Sequence, residues 1–181
     1  MTTPANSIAA TNPGTTWLLD PERSTLTFRN KTFWGALTVK GTFSDVDGEG
    51  EITSSHTVAG VLRVGAASLS TGIGKRDEHL RSADFFDVAN HPEITVEVHG
   101  AKVTGADQLD LDATLTIKES AHRLVLPATA ELLDDGAVRI TSHTKINREE
   151  LGVDGNLLGM IPPTTLIEGV AVFTPRAGAA S

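Results

Sequence analysis

Leu109-Asp-Leu-Asp-Ala-Thr-Leu-Thr-Ile-Lys118 alternates apolar and polar side chains without a break. Leu109, Leu111, Ala113, Leu115 and Ile117 share one face of an extended chain, and the intervening Asp, Thr and Lys residues share the other. A helix would scatter the same residues around its circumference. The segment reads as a half-buried strand.

Working outward, the same period recurs. Leu26 and Phe28 alternate with Thr25, Thr27 and Arg29, and Leu37, Val39, Gly41 and Phe43 alternate with Thr38, Lys40 and Thr42. Residues 94–99 and 138–143 repeat the pattern. Val58–Leu69, Arg123–Leu133 and Thr164–Phe173 are less regular but rich in Val, Leu, Ile and Thr. Asp47-Gly48, Gly105-Ala-Asp107 and Asp134-Asp135-Gly136 are read as the turns between strands. About eight strands follow one another as hairpins, which predicts an antiparallel sheet. Closure removes the edges of such a sheet, and eight strands enclose room for side chains or one small ligand. The expected fold class is all-β, an eight-stranded antiparallel barrel, with a filled β-sandwich as the competing architecture. The apolar positions are mostly Val, Leu, Ala and Ile, and the chain has only six Phe, two Trp and no Tyr. That favours a cavity over a plugged interior.

Two stretches break the rhythm. Lys75–Ser82 is charged, lacks Gly and Pro, and predicts one or two helical turns ahead of Phe85-Phe86. Asn147–Pro163 carries Gly and Pro breakers around Leu151, Leu157, Leu158 and Met160, and reads as a long loop with apolar anchors, a candidate lid. Residues 1–14 and 175–181 are small and polar and are expected to be disordered around one domain, residues 15–174.

The net charge of −8, with basic residues scattered singly, offers no footprint for nucleic acid or anionic lipid headgroups. No signal peptide and no membrane-spanning run is visible, so stable membrane insertion is not expected and a cytoplasmic location is. Cysteine is absent, which excludes disulfides and thiolate metal sites. The six histidines show no metal-ligand spacing, and no cofactor is expected. His99 and His143 fall on polar faces and could be neighbours across strands. No nucleophile elbow occurs, and Asp77 and His79, two residues apart on a helical turn, do not face each other. An enzyme acting through Arg76, Asp77 and His79 stands as the alternative reading, beside a filled-barrel interaction protein.

The run Arg76-Asp-Glu-His-Leu-Arg-Ser-Ala-Asp-Phe-Phe-Asp87, with Thr71-Gly72 before it and His91-Pro-Glu-Ile-Thr95 after it, resembles the YceI-like family of polyisoprenoid-binding, lipocalin-like proteins. Further pieces fall in that family's order: Trp17–Asp20 with Ser24 and Phe28, Gly41-Thr-Phe43, Leu115–Lys118 followed by His122–Pro127, and Lys145–Arg148 with Leu151-Gly152. The resemblance covers about Thr16 to Thr174. It implies a lipocalin-like barrel whose pore binds an isoprenoid lipid, an isoprenoid quinone or a long acyl chain, and a possible homodimer. This chain has Lys31-Thr32 and then Phe33-Trp34 where many members carry a His, and Glu119-Ser120 where the family has Gly.

The candidate ligand contacts come from both readings. Phe28, Phe43, Leu115 and Ile117 are expected on inward strand positions, and at least one ring of Phe85-Phe86 is expected to face the interior. Arg76 or His79 would offer donors to a ligand oxygen at the pore mouth. Phe33 and Trp34, read as strand neighbours on opposite faces, give one exposed ring, a dimer contact or a ligand gate. Leu158 would contact ligand from the loop.

Overall fold

The computed structural model describes residues 14–53, 55, 57–156 and 159–176. The strand segments are β1 (Thr16–Leu19), β2 (Thr25–Thr32), β3 (Leu37–Phe43), β4 (Val46–Ile52), β5 (Val58–Gly65), β6 (Leu69–Ser70), β7 (Glu93–Val103), β8 (Gln108–Ile117), β9 (Ser120–Leu132), β10 (Val138–Asn147) and β11 (Thr164–Pro175). Among the described residues there is one α-helix, α1 (Gly74–Arg81), after β6, and one 3-10 turn, Ala66–Ser68, between β5 and β6.

These segments make eight strands, because three strands are kinked into two pieces each: β1 with β2, β3 with β4, and β5 with β6. The sheet runs β1-β4-β5-β7-β8-β9-β10-β11, and β11 pairs back onto β1, so the barrel is closed. Every pairing is antiparallel. Polar side chains hold the kinks. Ser24 Oγ donates to Asp20 O (2.6 Å) and accepts from Val172 N (3.0 Å). Ser68 Oγ donates to Gly65 O (2.7 Å) and accepts from Ser44 N (3.1 Å), tying the second kink to the third.

Two sequence expectations are corrected. Asp47-Gly48 is no turn; it lies inside β4, opposite Arg63 and Leu62. Val46, Gly48, Gly50 and Ile52 hold the inward positions there, and glycines in place of side chains hide the period. A Cβ on Gly48 would meet Val61 O at 2.8 Å, so the strands approach closely where glycine stands. Phe33 and Trp34 do not lie on a strand. They are the first two residues of the four-residue β2–β3 loop, with φ of 50° and 53°, held by Gly35 N donating to Thr32 O (3.1 Å) and Ala36 N to Phe33 O (3.1 Å). Gly35 follows them with a φ of 91°, so three successive residues of this four-residue loop are left-handed, a region that bulky side chains rarely occupy. Trp34 stands 82 % exposed and Phe33 45 %.

Phe28, Phe43, Val64, Leu69, Phe85, Ile94, Ile117, Leu151 and Val153 form the main buried cluster, where Leu80 of α1 and Ile161 of the loop after β10 also pack. The ring of Phe28 lies over its cross-strand partner Gly41, whose Cβ would fall 2.3 Å from it. Among the described residues no helix is long and apolar enough to cross a membrane.

Candidate ligand-binding cavity

The middle of the barrel is hollow. A cavity of about 520 Å³ is walled by inward positions of β2, β3, β5 and β7–β11 and closed over by α1, Phe85, Phe86, Val153 and Ile161. A second chamber of about 140 Å³ shares Leu62, Val96, Val98, Leu111, Ile140 and Phe173 with it and extends toward Trp17. Most of the lining residues are aliphatic or aromatic, and the surface turned to the cavity is apolar. Period two generates them directly: Thr165, Ile167, Gly169, Ala171 and Phe173 of β11 all line the cavity.

Of the sequence-derived candidates, Phe28, Phe43, Arg76, His79, Phe85, Phe86, Leu115 and Ile117 come together on this wall. Both phenylalanines of the Phe85-Phe86 pair face it, since they sit in a turn and not on a strand. Phe43 links the aromatic wall, 5.8 Å from the Phe28 ring centre and 6.1 Å from that of Phe86 in an edge-to-face contact. Phe33 and Trp34 lie outside the wall, at the hairpin tip, where Phe33 N donates to Met160 O (3.1 Å). Leu158 lies outside the described residues. His99 and His143 are not neighbours; β8 and β9 stand between their strands. His99 is the extra residue of a β7 bulge and contacts Thr114 Oγ1 (2.8 Å), while His143 faces Glu168 (3.5 Å).

The polar residues of the motif are bound to their own turn. Asp77 is buried and accepts hydrogen bonds from Thr71 N (2.8 Å), from the Thr71 hydroxyl and from Ser70 Oγ (3.4 Å). Burial pushes its carboxyl up, but those hydrogen bonds and the Arg81 charge together outweigh it and hold the group below its ordinary value. Arg76 donates through Nε to Thr71 Oγ1 (2.7 Å) and through Nη2 to Thr71 O (3.0 Å). Arg76 and Asp77 thus converge on Thr71. His79 Nε2 lies 3.2 Å from Asp84 Oδ2 with its ring edge-on to Phe85. No Asp77–His79 dyad forms, because their partners lie on different residues.

Sequence reasoning passed over Arg148, Asn30 and Thr165 as site residues. Arg148 is buried, and its guanidinium donates to Val153 O (2.7 Å), Gly155 O (2.8 Å), Ile161 O (2.8 Å) and Pro162 O (3.1 Å). It gathers the loop after β10 into a plug. Asn30 and Thr165 face each other across β2 and β11, with Asn30 Nδ2 donating to Thr165 Oγ1 (2.9 Å). Both line the cavity, and period two places both inward.

The family model described as the YceI-like domain matches residues 17–173. The chain belongs to this family. A UPF0312 protein of Azotobacter vinelandii is 37% identical over 90 residues, 49% of this chain and 47% of the relative. Protein YceI of Escherichia coli O157:H7 is 34% identical over 90 residues, with the same shares. The match thus spans about half the length of these curated relatives. Among solved structures, Burkholderia cenocepacia BcnA superposes with a TM-score of 0.78 at 17% identity, covering 86% of this chain and 99% of that one. A polyisoprenoid-binding domain of Saccharophagus degradans implicated in plant cell wall breakdown gives 0.74 at 19% identity, covering 88% and 98%. These likenesses establish the YceI-like barrel.

Proposed function

We propose that this YceI-like barrel binds and carries or stores a long apolar molecule, an isoprenoid lipid, isoprenoid quinone or long acyl chain, in its interior. The observation that carries the reading is the cavity itself, about 520 Å³ with apolar walls. That volume falls within the ~300–1,000 Å³ of small-molecule sites. The description of the Saccharophagus degradans neighbour as polyisoprenoid-binding supports the ligand class. Each methylene moved from water into such a cavity gains roughly 0.8 kcal/mol, so a long chain supplies its own affinity after ordering costs. Carriage of this kind needs no metal or cofactor, and the motif residues Arg76, Asp77 and His79 are spent on holding the turn that closes the cavity.

Organic extraction of the natively produced protein, followed by mass spectrometry, tests the proposal. One long-chain amphiphile near equimolar amount is the expected result. An extract without lipid, together with no uptake of a fluorescent long-chain probe by the purified protein, would reject it.

A further inference from the structure

The cavity wall is not uniform along the barrel. Toward Phe173, Ile140 and Leu111 it is apolar, while Asn30, Thr165, Thr144 and Arg148 gather at the end covered by α1 and the loop after β10. Most hydrogen-bonding capacity at that end is already used. Arg148 is committed to four backbone carbonyls, Arg76 to Thr71, and His79 to Asp84.

Asn30 differs. It is 8 % exposed and Thr165 is 7 %, and Asn30 Oδ1 accepts no hydrogen bond from any described residue. Arg81 Nε is likewise unpartnered among the described residues, but Arg81 is not part of the cavity wall. A buried acceptor without a donor is costly, and native proteins rarely leave one. The terminal torsion of Asn is broad, so a small turn about it brings Oδ1 toward a guest while Nδ2 stays within reach of Thr165 Oγ1.

Resting on the carrier reading above, we propose that Asn30, braced by Thr165, accepts a hydrogen bond from the polar end of the cargo. The cargo is then a chain whose head carries a donor, a hydroxyl such as that of a long prenol or hydroquinone. It is held head toward α1 and tail toward Phe173.

Delipidated protein titrated with geranylgeraniol and with its methyl ether, nearly equal in length but lacking the donor, tests this assignment. The alcohol is expected to bind about tenfold more tightly or better, the discrimination that one buried hydrogen bond supplies. Asn30→Leu is expected to erase the preference while still binding the ether. The wild-type comparison stands without the variant, should that fail to fold. Equal affinity for the two ligands, or a preference for the ether, overturns the Asn30 assignment and leaves the carrier reading intact. Binding of neither overturns the carrier reading itself.

Discussion

Asp77 shows how a charge inside the signature motif serves the fold. Its folded carboxyl sits below the ordinary value because the Thr71 and Ser70 hydrogen bonds and Arg81 outweigh the cost of burial. An unfolded Asp titrates near ~3.9, so the group adds stability above about pH 4 and loses it as pH falls through the lower folded value. Asp77→Asn is therefore expected to cost about 1–3 kcal/mol near neutrality. It should also flatten the fall in stability below about pH 4. Denaturant melts of both proteins from pH 7 to pH 3 read this directly; parallel curves would contradict it. The sequence carried part of the story at this scale. Phase along β2 and β11 makes Asn30 and Thr165 inward-facing, since they follow Leu26 and Phe28 and precede Ile167 by even steps. What phase omits is which polar atoms find partners, because Thr71, Asp84 and Thr165 come from positions that no local pattern connects. Phe33 and Trp34 are bulky residues in the left-handed region, against the usual preference, so Gly35 is the single turn-forming residue type in that loop.

Among the elements, the strands with side chains on both faces were legible and the glycine-rich one was not. β8 announces itself through five apolar residues in phase, whereas β4 presents two glycines at inward positions and reads as a turn. The loop after β10 was visible only as irregularity. Its order comes from Arg148, which reaches carbonyls five to fourteen residues farther on. Arg148→Lys keeps the charge but loses the planar fork, and is expected to destabilise the protein by on the order of 2–3 kcal/mol. Limited proteolysis should show new cleavage between residues 149 and 163, with the barrel strands protected. Gly155 tests the same docking from the other side, as a Cβ there would lie 2.2 Å from Asp84 O and 2.8 Å from the Phe85 ring. Backbone cannot yield as a flexible side chain does, so Gly155→Ala is expected to cost about 1–3 kcal/mol. A melting temperature equal to wild type would show that the loop does not press on the turn holding Phe85.

For the whole molecule, alternation establishes a half-buried antiparallel sheet; its closure is shown by the β1–β11 pairing, and the period is silent on what fills the barrel, since an empty one and a packed one share it. The difference lies in side-chain volume summed around the wall, and there Gly169 is informative. It sits at an inward position of β11 opposite Leu26, and a Cβ there would meet only Leu26 Cδ1, at an ordinary 3.7 Å. A side chain at this point would start from an unhindered Cβ on the cavity wall. Gly169→Phe is thus expected to fold at least as stably as wild type, because the ring fills space and buries apolar surface. The same ring would obstruct the path between the polar end at Asn30 and the apolar end at Phe173. Affinity for a long-chain probe should fall by about tenfold or more, the loss of two or more buried methylenes. A probe short enough to occupy one end should bind nearly as before. Calorimetric titration of a long and a short alcohol against both proteins separates the outcomes. If the long chain binds Gly169→Phe as tightly as wild type, the cargo does not run through the barrel, and the apolar walls serve another purpose.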